Sequence, residues 1–214
     1  RMQKSTDCAL YWIGLSSVPG IGRVTFRRLV AHFGSARGVL DASQDELLNE
    51  AGLSEKLSSE LRSFPWRERA DEELAKADTA GVAIITAVDP GYPGQLLNTP
   101  DPPLFLYIRG SLLHEDGSAV AMVGTRTPTH YGLTVTHRMA YELASQRITV
   151  VSGMARGIDT QAHKGALAAK GRTIAVLGCG IDQAYPPENK GLMEEIVRSG
   201  AVVTENPFGT KPES

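Results

Sequence analysis

The chain has 214 residues, room for one large domain or two modest ones, and its 42% hydrophobic and 21% charged content is that of an ordinary globular protein. A formal net charge of −2 excludes a polycation that coats nucleic acid indiscriminately, so any nucleic-acid binding has to come from a local basic patch. No apolar run approaches the roughly 18 residues of a membrane span and the start has no signal-peptide core; Cys8 and Cys179, with no CxxC pair, fit a reducing cytoplasm and disfavour a disulfide scaffold or a zinc site.

The Arg1-Met2 start reads as a tag remnant and is left out of the reading. Residues 5–80 carry a helical pattern. Phe26, Leu29, Val30 and Phe33 share one predicted helix face; so do Leu57, Leu61 and Phe64, and then Ala70, Leu74 and Ala77. Ser43-Gln44-Asp45-Glu46 reads as a capping box, and Gly81 closes the last helix. Val18-Pro19-Gly20-Ile21-Gly22 ahead of the Phe26–Phe33 helix matches a helix-hairpin-helix, whose hairpin offers N–H groups to a DNA backbone and reads no bases. Gly20, Gly22, Arg23 and Arg27 are therefore a secondary DNA-binding candidate, with Arg28 adding charge; a tight turn in a protein-contact domain accounts for the same residues equally well. Glu50-Ala51-Gly52-Leu53-Ser54 reads as a degenerate second copy of the hairpin.

Residues 81–214 change character. Val82–Thr86 and Leu104–Arg109 are predicted strands, separated by turn clusters at Asp89–Pro93 and Asn98–Pro103. From residue 118 the apolar runs Ala119–Val123, Ile148–Val151, Thr173–Leu177 and Ala201–Thr204 alternate with helix-period segments. That alternation predicts a mostly parallel sheet covered on both faces, an α/β, Rossmann-like, doubly wound domain preceded by the small all-helical one. After Glu205 the chain reads as a loop leading nowhere, as though such a sheet were cut short.

In an open parallel sheet the carboxyl ends of the strands open on one edge, where ligands bind. Four loops converge there by this reading: Gly124–Thr127, Gly153–Asp159, Gly178–Asp182 and Glu205–Pro207. Strand–glycine–helix junctions aim backbone N–H groups and a helix's positive end at an anion, and Arg126 and Arg156 supply forks suited to phosphate oxygens. The candidate anion-binding residues are Gly124, Thr125, Arg126, Ser152, Gly153 and Arg156, with Lys164 and Lys190 extending the patch. Alternatively the glycines serve tight turns only and the arginines pair with Asp159 or Asp182.

There is no dinucleotide fingerprint and no P-loop, so no cofactor is expected. The histidines His32, His114, His130, His137 and His163 have no metal-ligand spacing, and Ser152 is outside any nucleophile elbow. Asp159 and His163, one helical turn apart, read more readily as a surface pair than as an acid–base couple.

The ordered motifs resemble those of the DNA-processing protein A (DprA, or Smf) family. They are Tyr92-Pro93-Gly94-Gln95-Leu96 with Asp101-Pro102-Pro103, Leu106-Tyr107-Ile108-Arg109-Gly110, Val123-Gly124-Thr125-Arg126, Ser152 to Asp159 with Ala162-His163, and Ile174 to Gly178 through Tyr185-Pro186-Pro187-Glu188-Asn189. The resemblance covers residues 80–210 strongly, and the helical part is similar to the sterile-alpha-motif-like or hairpin domain often fused ahead of them. It implies a cytoplasmic, non-catalytic protein that binds and protects single-stranded DNA in natural transformation and loads the RecA recombinase. It also implies a homodimer formed through the Rossmann-like domain. On the same ground Arg126 is expected to contact DNA phosphates, with Gly153 and neighbouring backbone lining the pocket. The family continues with a Phe-Pro-x-Arg-Asn-Arg segment, and often a winged helix, that this chain stops short of. Two other readings stand beside it. One is a nucleotide phosphoribohydrolase-like enzyme, whose Gly-Gly-x-Gly-Thr-x-x-Glu segment is absent here; the other is a helical adaptor domain on a sheet that serves as a dimer scaffold.

Overall fold

The computed structural model describes residues 2–212. The chain divides into two compact units: the first runs to Thr79 and takes in Ile84–Phe105, and the second comprises Ala80–Ala83 and the chain from Leu106 onward.

The first unit holds helices α1 (Met2–Ser17), α2 (Arg23–Phe33), α3 (Ala36–Asp41), α4 (Glu55–Ser63) and α5 (Trp66–Ala80), a π-helical turn at Glu46–Glu50, and the short α6 (Gly94–Leu97). Its core contains Leu15, Phe26, Leu29, Val39, Leu47 and Leu61, with the Trp12 and Phe26 rings 4.9 Å apart. Each predicted apolar face is buried or half-buried. The capping box forms reciprocally: the Ser43 N–H and hydroxyl both donate to Glu46 Oε2 at 2.7 Å, and the Glu46 N–H donates back to Ser43 Oγ at 3.3 Å. The two turn clusters are tied by the Tyr92 hydroxyl, which donates to the Pro103 carbonyl at 2.7 Å.

Strands β1 (Ala83–Thr86), β2 (Phe105–Gly110), β3 (Val120–Ala121), β4 (Val150–Ser152), β5 (Thr173–Val176) and β6 (Ala201–Thr204) form one sheet in the order β1-β2-β6-β5-β4-β3. Strands β3 to β6 are parallel neighbours, and β2 joins β6 antiparallel with Tyr107 opposite Thr204. Consecutive neighbours joined by right-handed crossovers put α7 (His130–Ser145), α8 (Ile158–Ala168) and α9 (Lys190–Ser199) on one face. The opposite face is covered unevenly: Ile174 and Val203 are buried there, whereas Ala121 is exposed and Val176 is 48% exposed. The helix-covered face is built from small residues. Ala140 and Ala144 of α7 meet Ala162 and Ala166 of α8 over Val150, and Gly165 lies so near the His137 carbonyl that any side chain there would collide with it.

An ion pair fastens the amino ends of the parallel strands. Arg172, just before β5, donates from Nε to Asp116 Oδ1 at 3.0 Å and from Nη2 to Oδ2 at 2.8 Å. The carboxylate also accepts from Thr149 Oγ1 (2.8 Å) and the Leu113 N–H (2.7 Å), and the guanidinium also reaches the Ser199 and Ser111 carbonyls. Burial pushes the Asp116 carboxyl up, but the bonds from Arg172, Leu113 and Thr149 outweigh it and hold the group below its ordinary value. Replacing Arg172 with methionine strands a carboxylate whose side chain is 9% exposed, at an expected cost of about 3 kcal/mol in urea unfolding. An unchanged midpoint would show the pair to be dispensable.

His163 of α8 is fully buried. Thr173 Oγ1 donates to the Val150 carbonyl at 2.8 Å, so His163 Nδ1, 2.7 Å away, is the donor to Thr173; Nε2 has no partner among the described residues. Burial pushes its pKa from 6.5 down to about 4. The unfolded chain therefore binds the extra proton between those values, so stability is complete above pH 6.5 and falls as pH drops towards 4, by about 3 kcal/mol. His163→Asn keeps a donor near the Nδ1 position without titrating; comparing its urea midpoints at pH 7 and 4.5 with those of the parent is expected to give a shallower loss.

Candidate nucleic-acid interface

Two of the four loops interlock through backbone. The Ile158 N–H donates to the Thr125 carbonyl at 3.3 Å. Gly157, at φ 82°, lies against the Thr125 carbonyl and the Arg126 backbone so closely that a Cβ would clash with the former. From the other side a Cβ on Gly124 would stand 2.7 Å from Ile158 Cγ1. The glycines thus let the two arginine-bearing loops meet, which a turn requirement alone does not demand. Thr129 caps the following α7 by accepting from the Gly132 N–H at 3.1 Å, and Thr125 Oγ1 accepts from the Thr127 N–H at 3.1 Å.

The second loop is held from within. Ser152 is buried, its hydroxyl donating to the Met122 carbonyl at 2.6 Å, so it joins β4 to the end of β3. A Cβ on Gly153 would stand 2.8 Å from Asp159 Oδ2 and displace that carboxylate, which accepts from the Ala155 N–H at 3.4 Å. Met154 takes a left-handed conformation, φ 63°, which is uncommon for a residue with a side chain. Burial of that side chain and one amide hold it there: Asn189 Nδ2 donates to the Met154 carbonyl (2.9 Å) and to Thr160 Oγ1 (2.8 Å).

The charges divide sharply. Arg126 is exposed and makes no hydrogen bond or ion pair with any described residue. Arg156 is exposed too, but its Nε and Nη2 donate to Glu188 Oε1 and Oε2 at 2.6 and 3.2 Å. The sequence offered Asp159 or Asp182 as partners for these arginines. The structure corrects this: Asp159 serves its own loop, and Asp182 accepts from the Gly209 N–H at 2.9 Å. Hydrogen bonds from Arg156 hold the Glu188 carboxyl below its usual range, and those to Glu188 raise Arg156. Lys164, past the midpoint of α8, and Lys190, the first residue of α9, are exposed.

The other two loops are tied to each other. The Gly180 N–H donates to the Thr210 carbonyl at 2.9 Å, and a Cβ on Gly180 would stand 2.7 Å from the Pro207 carbonyl oxygen. In the helical unit, the hairpin has Gly20 at φ 86° and a buried Ile21, and Gly22 precedes α2 without a side-chain cap. Gly52 (φ 63°) and buried Leu53 repeat that arrangement; the Glu50 side chain lies outside the described residues. Arg23 Nε and Arg27 Nη1 both face Asp101, at 3.0 and 2.6 Å, and Arg27 also bonds the Pro102 carbonyl.

A family model described as DNA recombination-mediator protein A matches residues 83–214, and one described as the DprA-like N-terminal HHH domain matches residues 6–55. The chain belongs to the DNA recombination-mediator protein A family. Among its relatives are Protein Smf of Synechocystis sp., 36% identical over 95% of this chain and 52% of that protein, and DNA processing protein DprA of Bacillus subtilis, 36% identical over 73% of this chain and 52% of that one. The chain thus spans about half the length of the curated relatives it matches. The X-ray structure of DprA from Streptococcus pneumoniae superposes with a TM-score of 0.74 at 26% identity, over 96% of this chain and 69% of that one. A Helicobacter pylori DprA structure, whose subject is single-stranded DNA binding, gives a TM-score of 0.55 at 31% identity over 62% of this chain and 59% of that one.

Both interlocked loops and the Pro187–Asn189 turn lie in the recombination-mediator match, and the Gly20 hairpin lies in the HHH match. Sequence reasoning missed Glu188 and Asn189 as members of the site. Both stand in the Tyr185–Asn189 motif that carries part of the family resemblance, but nothing in that motif indicates partners 32 and 35 residues away. Asn189→Ala leaves the Met154 carbonyl without its donor; the expected loss in urea unfolding is about 1–3 kcal/mol. A loss near zero would mean that the buried Met154 side chain alone holds the loop.

Proposed function

We propose that this chain is the single-stranded-DNA-binding part of a recombination mediator, a binding protein without catalytic activity. The observation that carries the reading is Arg126: an exposed, uncommitted guanidinium on a backbone-locked glycine loop, directly beside the loop that bears Arg156. Such a fork binds phosphate oxygens in pairs. Gly124, Thr125, Gly153 and Arg156 complete the contact region, with Lys164 and Lys190 on its flanks, and Ser152 supports it from the core. The H. pylori DprA structure concerns single-stranded DNA binding, which supports the ligand class. The rest of the proposal follows the family: protection of incoming DNA in natural transformation, loading of RecA, work in the cytoplasm, and a homodimer formed through the Rossmann-like domain over residues 81–214. That no described helix is long and apolar enough to cross a membrane is compatible with this.

The helix-hairpin-helix over residues 5–80 is the second reading of the DNA site. It ranks lower because Arg23 and Arg27 already face Asp101. The phosphoribohydrolase-like alternative loses its nearest acid–base couple, since Asp159 is spent on its own loop and His163 lies in the core.

Fluorescence anisotropy of labelled oligo-dT at low and moderate salt tests the reading. Expected is binding that weakens with salt at a slope of about −0.7 per phosphate contacted, little dependence on base sequence, and loss of most affinity in Arg126→Glu. Binding untouched by Arg126→Glu but lost on replacing Arg23 and Arg27 would move the site to the hairpin.

A further inference from the structure

We propose that Glu188 is an internal stand-in for phosphate, which occupies Arg156 in the DNA-free protein and yields it only to a strand already anchored at Arg126. This rests on the DNA-binding reading above and names the residue that sets the affinity and anion selectivity of that site.

Three observations carry it. The carboxylate meets the guanidinium as a phosphate would, with two oxygens on two adjacent nitrogens at 2.6 and 3.2 Å. The pair is open to solvent, with side chains 58% and 54% exposed, so an incoming anion can reach it and exchange needs no unfolding. The two partners also stand on fixed supports. Arg156 follows Met154 and precedes Gly157, which abuts the Arg126 backbone; Glu188 precedes Asn189, whose amide holds the Met154 carbonyl. One tether thus sets both the Arg156 loop and the turn that carries its competitor.

The chemistry follows from effective concentration. A free phosphate has to displace a tethered carboxylate that is always present, and gains little. A strand held by Arg126 presents its neighbouring phosphates at high local concentration, so for a polyanion the exchange becomes intramolecular. The displaced carboxylate then remains beside the phosphate as a like charge, which caps the affinity. Removing its charge lifts that cap.

The test uses oligo-dT anisotropy at low salt with Glu188→Gln, Arg156→Gln and the double variant, and with Glu195→Gln as a control for net charge. Glu195 is an exposed carboxylate on α9 with no part in the site. Expected is tighter binding by Glu188→Gln, roughly two- to five-fold as for relief of an exposed ion pair, a much smaller gain from Glu195→Gln, and no gain from Glu188→Gln once Arg156 is glutamine. Equal or weaker binding by Glu188→Gln overturns the proposal, as does a gain that persists without Arg156. If Arg126→Glu binds like the parent, the site reading fails while these variants are silent; if Arg126→Glu loses binding and Glu188→Gln changes nothing, only the role of Glu188 fails. Absence of binding by the parent and Glu188→Gln alike overturns both.

Discussion

The sheet unit depends on the half-buried pair of Asp116 and Arg172. Every partner of that pair lies at the amino end of a parallel strand or just beyond the element before it: Leu113 and Asp116 ahead of β3, Thr149 ahead of β4, Arg172 ahead of β5, Ser199 ahead of β6. Two charges largely taken out of water are costly, and here both carboxylate oxygens and all three guanidinium nitrogens make hydrogen bonds at these strand entries. The result is a sheet tied at one edge by polar contacts. Its opposite edge is left to loops, and that is where a parallel sheet presents ligand sites.

At that opposite edge the organising constraint is close approach. The Gly157 backbone abuts the Thr125 carbonyl, which also accepts from the Ile158 N–H, and Gly124 makes room for the Ile158 side chain. Contact through main chain is stiffer than contact through long side chains, because no rotamers intervene. Met154 adds a strained residue, stabilised by its own burial and by Asn189. Strain of this kind persists only where the surroundings over-determine it, and it clusters at sites that need a fixed geometry. Ser152 contributes by the same logic: its hydroxyl bond to the Met122 carbonyl joins the strands from which the two loops leave.

Periodicity made most of this architecture legible in the residues. Phe26 and Leu29, or Val150 and Ala162, stand on apolar faces that any folded form has to bury. Local signals were equally readable, as in the reciprocal bonds of Ser43 and Glu46 and the positive φ of Gly81. Contacts set by chain topology were not legible. The run Ala119–Val123 pairs as a strand only over Val120–Ala121, because it borders β4 on one side alone and Val123 stands 76% exposed. The antiparallel placing of β2 beside β6 has no local signature, and neither has the meeting of Arg27 with Asp101, 74 residues apart. For the candidate site the glycines and arginines could be read from sequence, but the glycines' task, admitting a neighbouring loop, and the carboxylate set against Arg156 could not.

The distribution of charge explains how a chain of net charge −2 could hold a polyanion. Its arginines are mostly spoken for by carboxylates of the same unit: Arg109 by Glu194, Arg138 by Glu142, Arg172 by Asp116, Arg27 by Asp101. Each such pair presents almost no field to a distant strand, since exposed charges beyond a Debye length are screened and paired ones cancel first. Long-range attraction is therefore weak, and indiscriminate coating of nucleic acid is disfavoured. Arg126, exposed, makes no hydrogen bond or ion pair with any described residue, and its loop adjoins the one that carries the solvent-open pair of Arg156 and Glu188. On the proposed reading, recognition works at contact distance, where a chain of phosphates meets one open guanidinium and competes a carboxylate off the next.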